Sequence, residues 1–368
     1  MTAEWIELRG VNTHNKGAHL MMIAVANRLQ GRAKLTVSPN GSDFDDRGAL
    51  GFHQTLLLNQ LPAVSGAVGG LIPGSVKDAF GLVASKDVGG VLDAAGFAYS
   101  DSFSIQRSKR EAKISAAWKK RGVPRVFLPQ AFGPFTNPEQ AKWTRELLDG
   151  AALVYARDRQ SLDYVTALGA KTEVRLAPDF TIGLKPGSIP SPLTGEFGAI
   201  VPNAKMLSHT KLSLEEYTQF LADGAAEFRA QGLRAVVVVH EHNDRALAKA
   251  LSERSEVEIF ESPDPLVLKR VLSDARIVVA SRFHALVSAL SSRTPVVALG
   301  WSHKYAELLE DFGAGAWMTD GSDAIAARIR HTLTDTETAA RLDARVPELL
   351  AQNERMWTEV ESVLGIRS

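Results

Sequence analysis

Between Ile277 and Tyr305 the chain reads IVVASRFHALVSALSSRTPVVALGWSHKY, a stretch that few folds can accommodate. Ile277, Val278, Val279 and Ala280 form an unbroken apolar run with no polar alternation, the pattern of a strand covered on both faces of a parallel sheet. Ser281 then stands where a helix N-cap is expected, and Ala285, Leu286, Ala289 and Leu290 recur at helical spacing. A second buried run follows from Pro295 to Leu299 and ends in Gly300-Trp301-Ser302-His303-Lys304-Tyr305. Strand, helix and strand in that order place Arg282 and His284 at one strand end and His303 and Lys304 at the next. Open α/β sheets bind their ligands at that edge.

The same alternation runs through the rest of the chain. Trp5 to Leu8 reads as a first strand, followed by a loop, Gly10 to Lys16, and a helix from Gly17 to Leu29. This is a Rossmann-type opening without GxGxxG. Lys34 to Val37 is a second strand, Pro39 to Gly51 a polar, acidic loop, and residues 63–90 are too rich in glycine for an assignment. Gly90 to Leu92 is a strand running into the loop Asp93 to Asp101. A basic helix (Ser104 to Arg121), a strand (Arg125 to Leu128) with the exit loop Pro129 to Pro134, a helix opened by Pro138, and the strand Leu153 to Ala156 come next. Asp158 is placed to cap the helix through Leu168. Leu184 to Glu196 has three prolines and two glycines without apolar period and reads as a linker. Beyond it strands and helices alternate again.

The expected fold class is therefore α/β, with two Rossmann-like domains. Residues 1–185 form the first domain, 186–196 the linker and 197–336 the second. Residues 337–368 form a helical tail expected to pack back on the first domain.

Composition removes several functions. Lys plus Arg and Asp plus Glu are both 42, which argues against a nucleic-acid-coating protein. There is no cysteine, so disulfides, thiolate zinc sites, iron-sulfur clusters and cysteine nucleophiles are excluded. His240-Glu-His242 lacks both the helical i, i+4 spacing of zinc motifs and a third ligand, so no metal is expected. The N-terminus lacks a basic region followed by an apolar run, and no stretch approaches bilayer-spanning length. A cytoplasmic protein that can visit a membrane surface is expected.

Arg282 can hold a phosphate or carboxylate through two parallel hydrogen bonds, Lys304 adds a point charge, and His284 titrates near neutrality. Together they suggest an anion site with a proton-transfer group. Asn15-Lys16-Gly17 is a second candidate anion-binding turn. Asp93 and Asp101, in a loop that also carries Phe97 and Tyr99, suit either sugar hydroxyls or turn and cap chemistry. Arg157 suits either a cleft or a local ion pair with its surroundings.

Asn15-Lys16-Gly17-Ala18, Leu128-Pro129-Gln130-Ala-Phe-Gly133-Pro134, Ala156-Arg157-Asp158, Pro178-Asp179, Ser281-Arg282-Phe283-His284-Ala285 and Gly300-Trp301-Ser302-His303-Lys304-Tyr305 together resemble the polysaccharide pyruvyl transferases. The resemblance implies a glycosyltransferase-B-like arrangement with the active site in the interdomain cleft. It implies transfer of the carboxyvinyl group of phosphoenolpyruvate to a sugar as a pyruvate ketal, without a metal or redox cofactor. Carried over by position, the donor-site arginine is Arg157, the catalytic histidine His284 and the later basic residue Lys304. Arg282, His303, Asn15 and Lys16 join the donor side, and Asp93, Phe97, Tyr99 and Asp101 the acceptor side. The implied acceptor is a sugar of a cell-surface polysaccharide or glycolipid precursor, expected to be lipid-linked and met at the inner face of the membrane. One departure from the family pattern is His19, where many members are acidic. A nucleotide-sugar glycosyltransferase and a non-catalytic carbohydrate-binding protein remain the alternatives.

Overall fold

The computed structural model describes residues 5–56, 72–321 and 324–366. The chain divides into two compact units, the first made of Met1–His14, Met21–Phe180 and Gln352–Ser368, the second of Asn15–Leu20 and Thr181–Ala351.

The first unit is built on strands β1 (Trp5–Arg9), β2 (Lys34–Val37), β3 (Phe52–Leu56), β4 (Leu82–Ala84), β5 (Val88–Asp93), β6 (Phe97–Tyr99), β7 (Arg125–Phe132), β8 (Leu153–Ala156) and β9 (Val174–Leu176). Their order across the sheet is β4-β3-β2-β1-β5-β7-β8-β9, with β6 paired to β7. Neighbours run parallel, and the order turns back between β1 and β5.

Two sequence expectations need correction here. The segment Pro129 to Phe132 is not an exit loop but the continuation of β7, buried at every position. It stays extended because β6 supplies a partner for its free edge: Ala131 N donates to Gly96 O at 2.8 Å, and Phe97 pairs with Ala131. The acidic loop after β2 contains a short helix, Phe44–Ala49. Of the glycine-rich tract, residues 63–71 lie outside the described residues, and the remainder holds the helix Gly74–Ala79, β4 and the start of β5.

The second unit has strands β10 (Phe197–Val201), β11 (Arg234–Val239), β12 (Glu258–Glu261), β13 (Ile277–Ala280), β14 (Val296–Leu299) and β15 (Met318–Thr319), in the order β12-β11-β10-β13-β14-β15. All these pairings are parallel. Successive side chains of a strand point to opposite faces, and the core divides accordingly. Val278 and Ala280 join Phe197, Ala199, Val236 and Leu286 in one cluster, whereas Ile277 and Val279 join Ile200, Val237, Tyr217 and Phe228 in another. Both faces are thus covered, which is why β13 could carry an unbroken apolar run. The strand order reverses between β10 and β13, and the carboxyl ends of strands at such a reversal are where open α/β sheets bind their ligands.

The long C-terminal helix, Thr336–Val363, takes part in both units. Leu342, Val346 and Leu349 belong to the second unit's core. In the first unit Glu361 bridges Arg28 and Arg32, and Trp357 packs edge-on to Phe180 at 5.9 Å.

Candidate functional site

At the reversal point of the second sheet the ends of β10, β11, β13 and β14 are tied by buried polar groups. Asn203, just beyond β10, donates from Nδ2 to Ser281 O at 2.6 Å, and its own N–H donates to the Tyr217 hydroxyl at 3.2 Å. Tyr305 OH, from the helix after β14, donates to the same Ser281 carbonyl at 3.1 Å. Tyr217 OH and Ser281 Oγ share a hydrogen at 2.5 Å. Burial pushes the Tyr217 phenol up to about 12, so it stays protonated and able to donate. Ser281 is therefore not the helix cap expected from sequence. Its hydroxyl is taken by Tyr217, and Arg282 occupies the N-cap position of the helix Phe283–Ser291.

Arg282 is anchored on two carboxylates. Its Nε and Nη2 donate to Asp244 Oδ2 and Oδ1 at 2.8 and 2.5 Å, and its Nη1 pairs with Glu241. Burial works against the guanidinium charge, but Asp244 and Glu241 outweigh it and hold Arg282 above its ordinary value. Asp244 is fully buried and also accepts the Ala204 N–H at 2.9 Å, so one side chain joins three strand ends. Glu241 has a second partner: it accepts from Asn15 Nδ2. Asn15 caps the helix Lys16–Leu29 by accepting from Ala18 N at 3.0 Å, and Lys16 Nζ donates to Pro263 O.

His284 lies in the first turn of its helix, half-buried, with its ring 5.4 Å from Phe283 and edge-on to it. Gly17 packs directly on it: a Cβ added there would stand 2.2 Å from His284 Nδ1, closer than any side chain tolerates. Nearby, burial and the positive charge of Arg282 push His240 down to about 3, which keeps that ring neutral. His242 Nδ1 accepts from Arg245 Nη1 at 2.6 Å. Among the described residues no three metal-ligating side chains converge.

Lys304 and His303 open the helix His303–Asp311, beyond β14. The Lys304 ammonium is buried against aromatic faces, 4.6 Å from the Trp301 ring and 5.4 Å from Tyr305. Lys205 Nζ lies 5.4 Å from the same indole. Such contacts hold a cation without neutralising it. Asn15, Lys16, Arg282, His284, His303 and Lys304 all belong to this unit.

Arg157, Asp93, Phe97, Tyr99 and Asp101 belong to the first unit. Arg157 Nη1 donates to Asp179 Oδ2 at 3.0 Å, both side chains buried, while Asp158 caps the helix Arg159–Ala167 by accepting from Ser161 N. Asp93 receives Arg125 Nη2 at 2.5 Å, Tyr99 OH at 3.3 Å and Gln130 Nε2 at 3.4 Å. Burial and the Asp93 charge hold the Tyr99 phenol protonated. Asp101 accepts from Thr136 N and Oγ1 and from Asn137 N. Burial opposes its charge, but these hydrogen bonds prevail and keep it below the ordinary carboxylate range. Phe97 lies edge-on to Phe103 at 5.3 Å.

Asp93 is the inner end of a longer buried chain. Arg125 also donates to Glu111 Oε2 at 3.0 Å, Arg9 to Glu111 Oε1 at 3.1 Å, and Arg9 to Glu7 at 2.7 Å. Burial disfavours the Glu111 charge, yet Arg9 and Arg125 overcome it and set this carboxyl at about 2, against 4.5 for a free glutamate. A depressed acid stabilises fully above its unfolded value and loses that contribution as pH falls toward its folded one. Glu111→Gln, which keeps the shape but not the charge, is expected to cost about 2 kcal/mol at neutral pH. Urea unfolding followed between pH 4.5 and 2 should show a shallower acid loss in the variant than in the parent. Equal slopes would show that the network carries no linked stability.

Sequence reading did not single out Asp244, Glu241, Asn203 or Tyr217 as site residues. The signal for the first three was their place just after β10 and β11, the two strands on one side of the reversal point. Tyr217 lies inside a helix, and nothing in its local sequence marks it.

A family model described as polysaccharide pyruvyl transferase matches residues 15–303. No curated protein matches the sequence. Among solved structures, a UDP-N-acetylglucosamine 2-epimerase is similar with a TM-score of 0.62 at 15% identity, covering 100% of this chain and 97% of its own. The Neisseria meningitidis UDP-GlcNAc 2-epimerase bound to UDP-GlcNAc gives 0.59 at 11%, with 98% of each chain covered. The calicheamicin glycosyltransferase gives 0.53 at 13%, with 99% of each covered. At these identities the likeness shows the fold, a glycosyltransferase-B-like pair of Rossmann-like domains, and the fold alone.

Proposed function

The chain belongs to the polysaccharide pyruvyl transferase family, and from that premise we propose that it transfers the carboxyvinyl group of phosphoenolpyruvate to two hydroxyls of one sugar, forming a cyclic pyruvate ketal and releasing inorganic phosphate. The observation that carries this reading is the family match itself, whose span includes the whole Ser281 to Ala285 segment. The geometry supports it by grouping Arg282, His284 and Lys304 in one unit at the carboxyl ends of β13 and β14.

Phosphoenolpyruvate is an anion at both ends. Lys304, held in place by aromatic faces, and Arg282, oriented by Asp244, supply fixed positive charge, and the family's donor-site arginine corresponds to Arg157. Protonation of the methylene carbon turns it into the ketal methyl group and leaves positive charge at the central carbon. The first sugar hydroxyl attacks that carbon. Phosphate departs with the electron pair of the C–O bond, and the second hydroxyl closes the ring. Of the two hydroxyl protons lost, one balances the proton delivered to carbon and the other leaves with phosphate. His284 is the proton carrier in this scheme. It requires no metal and no redox cofactor. Asp93, Phe97, Tyr99 and Asp101 line the acceptor side in this reading, with Asp93 acting through its ties to Tyr99 and Gln130.

The acceptor is proposed to be a lipid-carried sugar of a cell-envelope polysaccharide, modified at the cytoplasmic face of a membrane. Among the described residues no helix is long and apolar enough to cross one. Phosphate release from phosphoenolpyruvate, measured against a panel of sugar acceptors, tests the proposal. Release that depends on acceptor and yields a pyruvylated sugar is the expected result. Release of a nucleoside diphosphate from a nucleotide sugar would replace this reading with glycosyl transfer.

A further inference from the structure

The basic helix of the first unit, Ile105–Lys120, has no part in the chemistry above. It carries Arg107, Lys109, Arg110, Lys113, Lys119 and Lys120 against one acid, Glu111. That acid is buried and directed mainly inward onto Arg9 and Arg125; of the outward cations only Arg110 reaches it, with Nε 3.6 Å from Glu111 Oε1, so Lys113, Lys119 and Lys120 are not offset by it. Arg110, Lys113, Lys119 and Lys120 are exposed. The whole chain is formally neutral, so this cationic face is a local segregation of charge and not a share in a general excess.

The adjoining helix, Pro138–Asp149, extends the face with exposed Lys142 and Arg145, and places Trp143 between two ammonium groups. Lys109 Nζ lies 5.2 Å and Lys142 Nζ 5.0 Å from the indole centre. The same helix also bears Glu139, Glu146 and Asp149. Trp143 Nε1 donates to Glu139 at 3.4 Å, and Lys119 Nζ donates to the Asp149 carbonyl at 2.7 Å. The cationic side chains are spread along a helix roughly 24 Å long, with no buried donors converging on a point. That arrangement suits an extended anionic surface better than a single phosphate. A tryptophan flanked by lysines is the side-chain chemistry of a bilayer interface, where the ring sits among headgroups and the ammonium groups meet lipid phosphates.

We propose that the face formed by the helices Ile105–Lys120 and Pro138–Asp149 docks the protein on a bilayer rich in anionic phospholipid. This deepens the lipid-carried acceptor of the proposed function, but binding to vesicles needs neither donor nor acceptor, so each can fail without the other.

The experiment is cosedimentation of the full chain with phosphatidylcholine vesicles, with and without phosphatidylglycerol, at low and high salt. The parent is expected to bind only the anionic vesicles and to be released by salt. A variant with Arg110→Glu, Lys113→Glu and Lys120→Glu, all exposed and compatible with a helix, should bind them at least about tenfold more weakly. Its turnover on a short water-soluble acceptor should equal the parent's. Equal binding to neutral vesicles, undiminished binding by the variant, or no binding at all would overturn the proposal. So would a variant that loses turnover on the soluble acceptor, since the face would then serve the site. Vesicle binding by a protein that releases no phosphate with any sugar would leave the docking face standing and remove the proposed function.

Discussion

Replacing His284 with alanine is expected to lower kcat about a hundredfold to ten-thousandfold, with a much smaller change in the apparent affinity for phosphoenolpyruvate. The expectation follows from division of labour within one unit. Arg282 and Lys304 are held by partners, Asp244 in one case and aromatic rings in the other. A guanidinium keeps its proton at neutral pH and Arg282 is held above its ordinary value, so it cannot serve. His284, one residue into its helix and half-buried, is the imidazole of the same unit to which the proposed scheme gives the proton. Alanine is a good helix former, so the variant should fold, and circular dichroism checks that it does. Phosphate release at several donor concentrations separates kcat from KM. Near-normal turnover in the folded variant would reject His284 as the proton carrier and move the search to His303, Asp93 and Asp101.

A second large effect is expected from a residue that carries no chemistry. Gly17→Ala should lower kcat about a hundredfold, because the added methyl would stand 2.2 Å from His284 Nδ1 and one of the two must move. In stability the cost of relieving the overlap, about 1 to 3 kcal/mol for overpacking, is partly offset by the better helix propensity of alanine. A loss of rate much larger than the loss of stability, in a variant still folded at the assay temperature, is therefore the signature. The double variant decides whether the effect passes through the imidazole: in the His284→Ala background, Gly17→Ala should cost almost nothing more. Full additivity of the two losses would mean that Gly17 acts elsewhere, through its own helix end.

The fold class was legible because buried parallel strands advertise themselves. Ile277–Ala280 and Val296–Leu299 are apolar at every position, and a strand covered on both faces has little other way to be written. A cap was legible where a short polar side chain opened a helix, as at Asp158. The extension of β7 through Phe132 was not. Proline and glycine in Pro129-Gln-Ala-Phe-Gly133 signal a turn locally, and only pairing with strands distant in sequence, β6 on one edge and β8 at Gln130 on the other, keeps the segment extended. Within the site, the charged residues were visible and their partners were not. Arg282 and Asp244 lie 38 residues apart, and Ser281 and Tyr217 lie 64 apart. Such pairings are made by strand order, which no local window contains. The reading of Ser281 as a cap failed for that reason, its hydroxyl having been claimed by a tyrosine of another helix.

In the proposed donor site the carboxylate of Glu241 would decide which anions can bind. It rests on Arg282 and on Asn15 together, in the manner of a built-in counterion. An anion arriving at Arg282 therefore meets a site that is already electrically satisfied, and it gains a foothold only by trading places with a tethered competitor. Tethering makes that competitor always present, at an effective concentration no dissolved salt need match. A small monovalent ion gains little by such a trade. A ligand with two separate anionic groups recovers the loss at its second contact, so the trade favours molecules charged at both ends. The proposed site would then behave less like a sink for negative charge than like an ion-exchange resin with a preference for polyvalent guests.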